Sequence, residues 1–171
     1  MEQDRDNKKV VFRIKDYGFF QRCLQLAEEA LKAGDQPFGS LLVNKDNEII
    51  AEARNRVNEM HALAHPEIEL AQWALKNLTL QERRQTIMYT SGEHCPMCAG
   101  AHSWSQIGGL YYLSSADQLG MWLKELEAED APITLVSTEK IVKGVVVKGP
   151  GEGEMVQQIK QLHALFYSKN A

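Results

Sequence analysis

Two thiols three residues apart, Cys95 and Cys98, follow the apolar run Ile87-Met88-Tyr89 and the turn-forming Ser91-Gly92. Residues at that spacing share a helix face, so both sulfurs can meet one metal ion. Pro96, between them, marks a helix start, because proline's missing N–H has no partner to lose there. A helix N-terminus also favours negative charge, which helps hold the cysteines as thiolates. Two thiolates do not complete a zinc site, and a further ligand stands upstream in His65-Pro66-Glu67. Pro66 reads as a first helical residue that leaves His65 outside as the cap, so His65 and Glu67 converge on one point. Three ligands, His65, Cys95 and Cys98, leave a position for water, as in a catalytic zinc site. Glu67 beside that position is placed to handle the water's proton.

A Cys-x-x-Cys pair also occurs in redox motifs and structural zinc sites. A redox motif has no use for His65-Pro66-Glu67, and a structural site closes with four protein ligands. His61, His94 and His102 are the histidines that could supply a fourth.

The elements that position these residues alternate. Asp16 is placed to cap a helix from about residue 17 to 33, with Gly34 as its stop. Residues 40–43 and 48–53 read as a hairpin around Asn44-Lys45-Asp46-Asn47, and 54–64 as a loop carrying Asn55, Asn58 and His61. A helix over 66–77 precedes a strand over 86–90, and the Cys95 helix precedes a strand over 109–113. Ser115 caps a helix running to about Leu126, and Ile133-Thr134-Leu135-Val136 has the pattern of the next strand. Val145-Val146-Val147 is a further β candidate without an assigned partner. A last helix is expected over 153–167. Strands alternating with helices predict one α/β domain over residues 1–171, a mixed sheet covered by helices on both faces.

Composition narrows the partners. The chain of 171 residues carries 19 basic and 23 acidic side chains, a net charge of −4, against the basic excess of most nucleic-acid binders. No apolar run approaches the roughly 20 residues of a membrane span. Residues 1–9 are a mixed-charge tail without a signal-peptide core. Three cysteines, two of them a metal-like pair, fit a reducing, cytoplasmic setting, and Cys23 falls on an apolar helix face as a core residue.

His-x-Glu followed by Cys-x-x-Cys resembles the signature of the cytidine and deoxycytidylate deaminase superfamily, over roughly residues 17 to 115. The resemblance implies a three-layer α/β/α sandwich of about five strands, Zn2+ on His65, Cys95 and Cys98, and Glu67 as proton shuttle. Within the superfamily the chain looks most like bacterial guanine deaminases and their cytosine and tRNA-adenosine relatives. By that likeness Phe38 of Pro37-Phe38-Gly39 and Trp104 line a base pocket and Asn55 hydrogen-bonds the base. Ala64 and His94 are further pocket candidates, and Phe166-Tyr167 is similar to a tail that closes over a site in a swapped dimer. Two positions depart from the family: Pro66 stands where alanine is usual, and His94 where proline is usual. The acidic pair that guanine deaminases carry after the fourth strand is not evident between Ala116 and Trp122. The implied activity is hydrolytic deamination of a small aminated heterocycle of guanine or cytosine type by a homodimer. The alternatives are a tRNA adenosine deaminase and a non-catalytic zinc-stabilised module.

Overall fold

Backbone pairing in the computed structural model, which describes residues 10–169, brings five strands into one mixed sheet. The charged tail expected over 1–9 lies outside the described residues. In chain order the elements are α1 (Ile14–Lys32), β1 (Gly39–Val43), β2 (Ile49–Arg54), α2 (Pro66–Asn77), α3 (Leu80–Arg84), β3 (Ile87–Gly92), α4 (Pro96–Ser105), β4 (Gly109–Ser114), α5 (Ala116–Glu125), β5 (Val146–Lys148) and α6 (Glu154–Lys169). The strand order is β2-β1-β3-β4-β5. β1 is antiparallel to both β2 and β3, and β3-β4 and β4-β5 are parallel.

Alternation along the strands splits the core into two layers, since successive side chains point to opposite faces. Leu41, Tyr89, Tyr111 and Leu113 join α1, α5 and α6 on one side. Leu42, Met88, Leu110 and Tyr112 meet Leu70 and Ala74 of α2 on the other. Each strand of the pair β3-β4 is buried on both faces, as parallel strands covered by helices must be. Cys23 is fully buried in the first layer, as its apolar neighbours predict. Gly39 permits the close approach of α1: a Cβ there would stand 2.4 Å from that of Leu26 and 2.5 Å from the Cys23 carbonyl oxygen.

Three expectations need correction. Residues 133–136 form no strand, and the fifth strand is Val146–Lys148, which pairs with β4. Ile133 is 41% exposed, so the apolar run that suggested a strand lines a cavity instead. α3 was unexpected, although Thr79 and Glu82 spell out its capping box. Asp16 is not the cap of α1: Arg13 is, and Asp16 sits in the first turn, accepting the Arg13 backbone N–H at 2.7 Å.

Candidate functional site

The starts of α2 and α4 build the site. His65 caps α2 in extended geometry with Pro66 behind it, and Cys95 caps α4 in the same way with Pro96 behind it. Both caps therefore point their side chains back from the first turn, and α2 packs on α4. His65 Nδ1 lies 3.5 Å from Cys98 Sγ and 3.9 Å from Cys95 Sγ, and the three atoms fall within 4.8 Å of one another.

Those separations fit zinc. Bonds of about 2.3 Å to sulfur and 2.0–2.1 Å to nitrogen in a tetrahedron put nitrogen about 3.6 Å from sulfur. The thiol chemistry agrees. Cys95 is pulled down to about 4 by hydrogen bonding from Cys98 and from His65, while the bond to Cys95 and burial push Cys98 up. Among the described residues this group has three members, and His61, His94 and His102 are not among them. The ligand set is open.

Glu67 stands beside it, 5% exposed, with Oε2 3.6 Å from Cys98 Sγ. Oε1 is 3.4 Å from the Ser40 hydroxyl and 3.3 Å from that of Thr90, which face each other across β1 and β3. Burial raises its pKa, opposed in part by the charge of His65. A buried carboxyl with its pKa raised, beside three metal-ligating side chains, is placed where a proton-transfer group would have to stand. Ser40 and Thr90 were not singled out from sequence, although each is a polar residue in an apolar strand.

His94 is buried and its ring pairs with His102, outside the ligand set. Its Nε2 lies 3.1 Å from His102 Nδ1, and His102 Nε2 lies 3.2 Å from the Ile107 carbonyl oxygen. A carbonyl can only accept, so His102 Nε2 carries a hydrogen and His94 Nε2 donates to His102. Burial holds both rings neutral, His102 at about 4. The residue before Cys95 is thereby tied to α4. Glu93 fixes the other side, since its two oxygens accept the backbone N–H groups of Ala116 at 2.8 Å and Thr138 at 2.7 Å.

A cavity of about 750 Å³ opens on this end, walled near the ligands by Phe38, His65, Glu67, His94 and Cys95. Phe38 is half-buried and meets His163 of α6 edge-on, at 5.0 Å between ring centres. Asn55 is fully buried next to Phe38, whose carbonyl accepts its N–H. Asn55 Oδ1 accepts the Val57 N–H at 3.1 Å, and Nδ2 has no protein partner. Phe166 and Tyr167 also line the cavity. Ala64 does not, and its carbonyl closes the preceding loop by accepting the Arg56 N–H. Trp104 stays outside: it is 87% exposed. Cys98, His102 and Ser105 share the inward face of α4, and Trp104, six residues after Cys98, falls on the outer side of the turn. Glu127, Glu129 and Asp130 also line the cavity, beyond the interval from Ala116 to Trp122, and among the described residues no lysine or arginine does.

Comparison with known proteins agrees with this geometry. Residues 13–114 match the cytidine and deoxycytidylate deaminase zinc-binding region. The guanine deaminase of Bacillus subtilis is 40% identical over 96 residues, 55% of this chain and 61% of that protein. A solved guanine deaminase structure from Bacillus subtilis superposes with a TM-score of 0.53 at 30% identity, covering 71% of this chain and 85% of the other. The tRNA-specific adenosine deaminase of Bacillus subtilis is 35% identical over 88 residues, 51% of this chain and 54% of that protein. The chain thus spans less than two thirds of the length of both sequence relatives. It belongs to the cytidine and deoxycytidylate deaminase zinc-binding family.

Proposed function

We propose that the protein is a zinc-dependent hydrolytic deaminase of a small uncharged nucleobase-like heterocycle, of guanine or cytosine type. The observation that carries this reading is the open His65-Cys95-Cys98 set with the buried Glu67 carboxylate on the same point, opening into a cavity. Zinc held by these three ligands would supply the Lewis acidity that makes water nucleophilic at neutral pH. Glu67 takes one proton of the attacking water and gives it to a ring nitrogen, then carries the proton of the new hydroxyl to the departing amine, so that the C–N bond breaks, a carbonyl forms and ammonia leaves. Ser40 and Thr90 steady one oxygen of Glu67, leaving Oε2 for the reacting atoms. Phe38 offers a flat apolar wall to the ring, and Asn55, which lies buried behind it and does not line the cavity, keeps an unpartnered Nδ2 that would reach a ring acceptor only if the side chain turned towards it.

Charge weighs against tRNA. A tRNA enzyme holds phosphates with lysines and arginines, and among the described residues the cavity wall has neither. Arg54, beside Asn55, is already paired with Asp35 and Glu59. Free thiols at Cys23, Cys95 and Cys98 suit a cytoplasmic setting, and exposed Trp104 and Leu75 on the packed pair α4 and α2 suit a homodimer. The test is zinc analysis together with ammonia release from free bases, nucleosides, nucleotides and tRNA. Turnover of a free base by zinc-loaded protein is the expected result. Turnover of tRNA with no small molecule accepted would overturn the substrate class.

A further inference from the structure

Away from the ligands the cavity changes character. α5 presents Leu119 and Leu123, four residues apart and so on one helix face, and Leu126 follows as its C-cap residue. An apolar stripe of that kind normally packs into a core. Trp122 of the same helix does so, buried against His163, and Leu119 packs against the edge of that core, whereas Leu123 and Leu126 stay half-buried; all three leucines line the cavity. Pro132, Ile133 and Leu135 from the following segment line the same space, with Phe166 of α6. Leu63 and Ile133, 57% and 41% exposed, keep it apolar out to the surface. The charges there are Glu127, Glu129 and Asp130, all exposed.

Volume decides what this arm is for. Even at about 30 Å³ per non-hydrogen atom, the liquid share of a separate water and more than a bonded ring atom occupies, a bicyclic base of about eleven such atoms takes no more than about 330 Å³. More than half of the 750 Å³ stays empty when a bare ring sits at the ligand end. A phosphate or carboxylate in that remainder would meet apolar side chains and a rim of like charge, with no cation to pair with among the described residues of the wall.

We propose that the substrate is an aminated heterocycle bearing an uncharged alkyl or aryl substituent. Its ring lies at the His65, Glu67, Cys95 and Cys98 end, and its substituent lies against the α5 leucines and Ile133. This rests on the deaminase reading above and narrows it. The test compares kcat/KM for ammonia release from guanine with that from 7- and 9-benzylguanine, and from cytosine with that from 1- and 5-benzylcytosine, with GMP and CMP alongside. At least one benzyl isomer is expected to exceed its parent base about tenfold or more, a difference of about 1.4 kcal/mol, and the nucleotides to fall below every uncharged compound. Leu123→Glu should cut the ratio of that isomer to its parent at least about tenfold, since a charge would face the substituent. Ile133→Asp, on a segment outside the sheet, should do the same if Leu123→Glu fails to fold. Turnover of the bare bases with no benzyl isomer preferred would overturn the inference and leave the deaminase reading standing. A ratio untouched by either variant, with Leu123→Glu splitting an oligomer in light scattering, would overturn it in favour of a second copy on this face. Ammonia from none of these compounds, with zinc bound, would bring down both.

Discussion

Two buried carboxylates of this protein are treated in opposite ways. Asp16, at the start of α1, is fully buried and tightly held: Tyr89 donates its hydroxyl at 2.6 Å and Arg13 its backbone N–H at 2.7 Å. Glu67, on the other face of the sheet, has neighbours at 3.3 to 3.6 Å and no arginine or lysine among them. Short bonds hold a carboxylate in one place. Looser ones leave it room to move, and burial raises its pKa. The first arrangement serves the fold, and the second suits the proton transfer proposed for Glu67.

The strongest way to break the comparison is to remove the cation that the second region is shaped for. Cys98→Ala should lose zinc by elemental analysis and all ammonia release, and should melt lower, because metal binding and folding are coupled. Unchanged zinc content would remove the site from these residues. Glu67→Gln is next: it should slow deamination by about 10² to 10⁴, the usual worth of a positioned proton-transfer group, with zinc retained. Its melting temperature should stay level or rise, since burial already disfavours the charge. Asp16→Asn should reverse that pattern. It should cost about 1.5–3 kcal/mol in denaturant unfolding, the range for hydrogen bonds to a charged group, while the folded fraction keeps its kcat/KM. A comparable stability loss in Glu67→Gln would erase the distinction.

The smallest effect is a pH dependence from His163, the neutral group behind Phe38. Burial lowers its pKa from 6.5 to about 4. The unfolded chain therefore takes up this proton first on acidification. The contribution of His163 to stability is complete above pH 6.5 and is lost as pH falls from there towards 4. His163→Phe should flatten the fall of unfolding free energy across that window by up to one proton's worth. An unchanged slope would place the acid sensitivity elsewhere.

Local chemistry made most of the ligand set legible in sequence. Pro66 and Pro96 announced two helix starts, and both caps, His65 and Cys95, sit where that rule puts them. The layered fold followed from alternation, down to Cys23 in the core. What did not follow depended on which side of a turn a residue meets. Trp104 carried a pocket residue's chemistry on the outer face of α4. The run 133–136 had strand composition but no neighbouring edge to pair with, because residues 146–148 occupy that edge. His94, the departure from the family pattern, is spent on His102, a partner eight residues away that no local rule names.

The bracket made by Glu93 has a bearing on how such proteins diversify. Its carboxylate ties the first residue of α5 and the turn at Thr138 to the strand end that leads into Cys95. The stretch between, which is also anchored by Trp122 in the core and by Glu125 on Lys160, is thus closed at its base into a loop. A change of length beyond those anchors costs little and leaves that base, with the strand that carries the ligands, where it is. Such a segment is where the cavity is most readily reshaped without touching the reacting groups.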